Sequence, residues 1–176
     1  WTVSSDAMDP YLVYRLIEPG YETWNQMGIY QRRLADYEQT AVISNQLTSH
    51  NCINCHNFPN QDPTQMVLHM RGQRGGTYLF QSGDITKLNG KVSDKIPSLV
   101  YPSWHPTGDF IAFSTNQTRQ AFHFNDDTRS EVMDYASDLL LYDVKNNEVM
   151  TVPQLFSDKA CETFPQFSPD GKTLYF

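Results

Sequence analysis

The 176-residue chain is short of cysteine, with three, and it carries no basic run. No apolar stretch approaches the ~18 residues that would cross a bilayer as a helix. Charged residues make up only 19% of the chain, yet the net charge is −7. An acidic surplus without clustered Lys or Arg excludes a nucleic-acid surface. The scarcity of charge, set beside 39% hydrophobic residues, excludes a disordered chain and leaves enough for a core. An alternating strand–helix pattern is missing, and so is any G-x-S-x-G turn, which removes the usual marks of a redox α/β fold and of a serine hydrolase. Aromatics are plentiful instead, with 10 Phe, 10 Tyr and 3 Trp, a bias that favours packed β structure. The chain starts at Trp1 without methionine and stops inside the strand-like run Lys172–Phe176, so a piece of a longer protein is expected.

An internal repeat organises what is present. Tyr101–Phe113 (YPSWHPTGDFIAF) aligns without gaps on Thr163–Phe176 (TFPQFSPDGKTLYF), Tyr101 matching Phe164 at an offset of 63 residues. Each copy gives aromatic-Pro-x-aromatic, then Pro-x-Gly, then a run of strand formers. Pro presets φ and Gly takes the positive-φ position, so each copy reads as a hairpin. Further strand–turn–strand segments lie at Met27–Ile43, Gly76–Leu88 and Asp138–Val152, the last turning at Asn146-Asn147. Runs such as Leu139–Tyr142 predict strands buried on both faces, as when sheets stack.

The stretch Phe164–Phe176 resembles the repeat of TolB-type, WD-like propellers, in which Ser-Pro-Asp-Gly-Lys (Ser168–Lys172 here) opens a blade. His105–Asp109 is a looser copy, with His in place of Ser and Thr in place of Asp. The resemblance implies an all-β fold: a partial TolB-like β-propeller of four-stranded meander blades, with further blades downstream. The expected units are a first blade-like unit at 1–48, a second at 49–95, a third at 96–155 and the start of a fourth at 156–176. The family is periplasmic, so an exported, envelope-associated protein is implied.

Cys52, Cys55 and His56 form C-x-x-C-H within the polar stretch His50–Phe58, expected to be a loop between blades. This is the spacing of covalent haem c attachment. Two thiols reach the two vinyl groups of one porphyrin, and the adjacent imidazole ligates the iron. Structural zinc would need two more ligands, and Cys161 stands alone, most simply as a small buried residue. A thioredoxin-like pair would need an α/β context, and a Cys52–Cys55 disulfide is the expected state of a chain never loaded with haem. If Gln65–Gly72 is a strand, Met66, Leu68 and Met70 share the core face, and Val67, His69 and Arg71 share the other. His69 is then the candidate distal ligand, and Arg71 the candidate partner of a haem propionate. The alternatives for the distal position are His50, His105, His123, Met66, Met70, a residue outside this segment, or an open iron; the alternative for His69 is an ordinary hydrogen-bonded histidine of a sheet. Asp126 and Asp127 fall in an acidic loop that could hold a cation but reads better as solvated. Asn116-Gln117-Thr118 matches a glycosylation sequon.

These readings lead to a periplasmic monohaem c-type cytochrome on a propeller, serving electron transfer or haem-dependent sensing in an envelope complex, with an unknown redox partner. The alternative is a propeller acting as a protein–protein interaction scaffold, with haem structural or absent; propellers host many functions, so the fold does not choose between them. No catalytic residue is assigned, and an oxidase or peroxidase with an open iron ranks third.

Overall fold

A computed structural model describes residues 2–17, 26–123 and 130–176, without the side chains of 122 and 130. Among the described residues there are thirteen strands and no α-helix. They form antiparallel sheets in simple chain order. The first sheet holds β1 (Tyr11–Leu16), β2 (Gly28–Arg33) and β3 (Gln39–Ser44). The second holds β4 (Cys52–Asn57), β5 (Gln65–Arg71), β6 (Gly76–Gln81) and β7 (Asp84–Lys87). The third holds β8 (Val100–Trp104), β9 (Phe110–Phe122), β10 (Ser130–Asp143) and β11 (Glu148–Met150), and β12 (Gln166–Phe167) with β13 (Leu174–Tyr175) begins a fourth. Four-stranded meanders repeated in this way are the blades of a partial propeller.

The chain divides into two compact units, Trp1–Asn54 with Met70–Gly75, and Cys55–His69 with Gly76–Phe176. In the first, Met27, Ile29 and Ile53 are fully buried, and the Ile53 N–H points at the Met27 sulfur. The β2–β3 turn closes through Arg33 N–H donating to the Glu38 carbonyl, at 2.9 Å.

In the second unit one core joins the second and third sheets. Val67, Leu79, Leu88 and Leu99 pack with Trp104, Ile111, Phe113, Leu140 and Tyr142. Burial of successive residues Leu139 and Leu140, both at 0% exposure, shows why the Leu139–Tyr142 run lacks alternation: both faces of β10 are covered there.

The Pro-x-Gly hairpins form as their sequence requires. Gly108 (φ 78) and Gly171 (φ 70) each take the left-handed position, and their N–H groups donate to the carbonyls of His105 (2.8 Å) and Ser168 (2.9 Å). The second sheet makes its corresponding turn without glycine: Asn60 and Gln61 adopt φ 47 and 61. These turns link successive blades. Asn60 Nδ2 donates to the Pro106 carbonyl at 2.7 Å, and His105 Nε2 lies 3.2 Å from the Gly171 carbonyl, its ring edge-on to Phe167.

A kink recurs in the first strand of the third sheet and just before that of the fourth. Tyr101 (φ 50) and Phe164 (φ 55) hold the same place in the repeat, each just before a proline. In β8 the register shifts between Val100 and Ser103, so Tyr101 and Pro102 form a bulge where the missing proline N–H costs no ladder bond. The Tyr101 and Phe164 rings meet with centroids 4.5 Å apart.

One expectation is corrected. C-x-x-C-H does not lie in a loop between blades; it occupies β4, which hydrogen-bonds to β5. Cys55 has φ 52, which breaks the two-residue alternation by which a strand is recognised, and Asn54, His56 and Asn57 add no apolar pattern.

Candidate functional site

On β4 the burial falls from one end to the other. Cys52 is 5% exposed and Ile53 is fully buried, while Asn54 to Asn57 are half-buried. The boundary between the two units falls within the motif, after Asn54. Within the second unit, the His56 ring stands edge-on to Phe58 at 6.2 Å, and the Asn57 carbonyl accepts from Trp104 Nε1 at 3.4 Å. The last residues of β4 are therefore tied to the first strand of the third sheet.

β5 is buried from Met66 to Met70. The methionine face is core, as its composition predicts, and Val67 joins the main core. His69, 6% exposed, has Nδ1 3.0 Å from Thr77 Oγ1, and that hydroxyl donates to the Leu99 carbonyl at 2.6 Å. Because the Thr77 proton goes to Leu99, Nδ1 of His69 must be the donor. This chain of polar bonds is how a sheet accommodates a buried imidazole. Arg71, the last residue of β5, is exposed.

A covalent haem needs thiols and an imidazole that turn towards the porphyrin. The donor types and their order suit it, and Cys55 and His56 have the partial exposure it requires. Cys52 and His69 are instead covered by protein. Among the described residues no three His, Cys, Asp or Glu side chains come together as a metal site.

The remaining candidates fall elsewhere. His105 joins the third and fourth sheets, His123 lies 3.3 Å from Glu131, and His50 is an exposed residue at φ 58. Asn116 is 8% exposed with its Nδ2 donating to Asp134 at 2.8 Å, so the sequon nitrogen is committed to the fold. Asp126 and Asp127 lie outside the described residues. Cys161, expected to be buried, is exposed: it follows an irregular loop rather than sitting in a strand. That loop and the neighbouring Ser137 and Asp138 enclose a cleft that no motif marks.

No family model and no curated protein matches the chain. Among solved structures, the crystal structure of TolB from Acinetobacter baumannii matches with a TM-score of 0.60 and 17% identity, covering 94% of this chain and 35% of that one. A structure from a structural and mechanistic analysis of two prolyl endopeptidases matches with a TM-score of 0.51 and 12% identity, covering 98% of this chain and 25% of that one. The chain therefore spans about a third of the first neighbour and a quarter of the second. Repeated antiparallel meanders and these likenesses define the class: a β-propeller segment. Its fold is TolB-like.

Proposed function

We propose that this chain is part of an exported, periplasmic TolB-like propeller that serves as a protein-interaction scaffold in the cell envelope. The likeness of fold to TolB across 94% of the chain carries this reading. The repeated kink supports it. Phe164 is 60% exposed and packs at a tilt of 47° against the Tyr101 ring of the preceding blade, so a large aromatic surface is held in a conformation unusual for bulky residues. Costly local backbone of this kind, presenting exposed aromatics, suits recognition of a protein partner.

Photo-crosslinking from a benzoylphenylalanine placed at Phe164 in the exported protein tests it. A discrete protein adduct is expected there and not from Val152, which is 49% exposed just after β11. No adduct from position 164 would overturn the scaffold reading at this surface.

A second reading keeps haem c on the same propeller, for electron transfer or haem-dependent sensing. The partial exposure of Cys55 and His56 at the β4 kink favours it. Cys52 and Cys55 would tether the group through thioethers, and His56 would ligate the iron. The group itself would supply a one-electron couple. His69 would ligate through Nε2, because Nδ1 is held by Thr77. Exposed Arg71 would pair with a propionate. Intact mass after periplasmic expression with haem-maturation proteins decides: a gain of one porphyrin supports the cytochrome. An unchanged mass removes it and leaves the scaffold standing.

A further inference from the structure

Where the long β9–β10 ribbon joins the body of the third sheet, a cleft of about 300 Å³ opens. Two features of the sequence build it. A register shift between Asp134 and Ala136 leaves Tyr135 as the extra residue of a β-bulge, which re-aims the strand just before Ser137. The loop after β11 then folds back along β10. The Leu139 N–H donates to Leu155 (2.7 Å), the Ser157 N–H to Asp138 Oδ1 (2.9 Å), and the Glu162 N–H to the Ser137 carbonyl (3.1 Å).

The wall includes an unpaired group. Ser137 lines the cleft and is 3% exposed, and its Oγ has no hydrogen-bond partner among the described residues. Next to it in the wall is Asp138, with one carboxylate oxygen held by Ser157. Glu162 follows the wall residue Cys161 and is 7% exposed. Its Oε1 accepts from Ser157 Oγ at 3.2 Å, while Oε2 has no partner among the described residues. Burying an oxygen without a partner is costly, so a cleft wall that keeps Ser137 Oγ in this state is suited to a ligand that supplies donors.

Charge gives the ligand its sign. In the lining Asp138 and Asp158 stand against Lys95 and Lys159, and Glu162, next to the wall residue Cys161, adds a third acid. Lys95 pairs with Asp158 at 3.8 Å and at a highly exposed position, so solvent weakens that pair. The acids nearest the buried side are left in excess. Burial pushes the Asp138 carboxyl above its ordinary range, and Glu162 and Asp158 push it the same way, whereas the Ser157 hydrogen bond and Lys95 oppose them. An added cation would relieve that repulsion; an added anion would increase it. Tyr135 and Phe156 bring apolar surface to the same cleft.

We propose that this cleft binds an alkylammonium group, a primary amine on an apolar stem, with its N–H donors directed to Ser137 Oγ and the Asp138 carboxylate and its stem against Tyr135 and Phe156. An ammonium offers three donors and no acceptor, which matches an unpaired hydroxyl oxygen beside a carboxylate. A free aliphatic amine and a lysine side chain share this chemistry.

Amide NMR on the ¹⁵N-labelled chain tests the proposal, with n-butylammonium chloride and Nα-acetyl-lysinamide as separate probes at constant ionic strength. The reporters are the Ser157 and Glu162 N–H groups, which hydrogen-bond to Asp138 and Ser137. Saturable shifts are expected, with half-saturation at about millimolar concentration for so small a ligand. Saturation by both probes assigns the site to lysine side chains and free amines alike; saturation by butylammonium alone assigns it to free amines. Asp138→Asn should abolish the shifts. Ser137→Ala, which removes only an unpaired oxygen and so preserves the fold, should weaken binding about fivefold. The proposal fails if n-butanol or acetate gives the same saturable shifts, if Ser137→Ala binds as tightly as the parent chain, or if neither amine saturates by ~100 mM.

Discussion

Gly108 and Gly171 close equivalent turns, yet a methyl group added to each would meet different surroundings. At Gly108 it would enter open space; at Gly171 it would lie 2.5 Å from the His105 ring. Both substitutions to Ala carry the strain of a left-handed residue, about 1 kcal/mol. Gly171→Ala should cost about 1–2 kcal/mol more, through displacement of His105 from its carbonyl and from Phe167. In a His105→Ala background that excess should vanish, leaving Gly171→Ala as mild as Gly108→Ala. Urea unfolding of the four variants measures this, and a coupling below about 0.5 kcal/mol would show that the turn does not depend on the histidine. Asp138 makes a second prediction at this scale. Its carboxyl is raised in the folded state, so its contribution to stability is complete below the ordinary aspartate value of about 3.9 and is lost as pH rises through the raised value. Asp138→Asn removes that titration. Thermal unfolding should therefore show the parent chain gaining stability relative to the variant as pH falls from 7 to 4; a constant difference would contradict the assigned shift.

At the scale of elements, β9 and β10 are much longer than their neighbours. β8 pairs with β9 only as far as Ser114, and β11 pairs with β10 only over Leu141–Asp143. Beyond those limits the two strands run as a two-stranded ribbon, a form with little stability of its own. Hydrogen exchange at residues 116–121 and 131–136 should be at least about tenfold faster than at 111–114 and 139–142. Equal protection would mean that the ribbon is supported along its length. Hairpins of the third and fourth sheets were legible because proline, glycine and asparagine dictate local dihedrals, as at Pro106–Gly108, Pro169–Gly171 and Asn147 (φ 57). β4 was not, because Cys55 interrupts the alternation. The corresponding turn of the second sheet was also hidden, since Asn60 and Gln61 take left-handed conformations without glycine. Cys161 was misplaced because small residues carry no directional pattern in a loop, and the cleft arises from a bulge and a returning loop that no spacing encodes.

For the whole molecule, the core between the second and third sheets decides stability. Leu140 is fully buried in it, so Leu140→Ala should destabilise by about 2–5 kcal/mol. Val132, 57% exposed on the ribbon, should tolerate the same truncation within about 0.5 kcal/mol. Denaturant midpoints compare the two, and similar losses would show that the ribbon shares the core's load. The linked turns at Asn60–Pro106 and His105–Gly171 have a wider consequence. They lie at the end of the sheets where β4 meets β5 and β8 meets β9, so lengthening a chain reversal there would break a bond to the adjacent blade. The ribbon and the cleft lie at the opposite end, where β9 meets β10; there the ties to the segment entering the fourth sheet, Ser114 and Asn116 with Thr163 and Ser137 with Glu162, are made at the root of the ribbon. New binding chemistry can accumulate on that side by insertion, while the stitched side keeps successive blades in step.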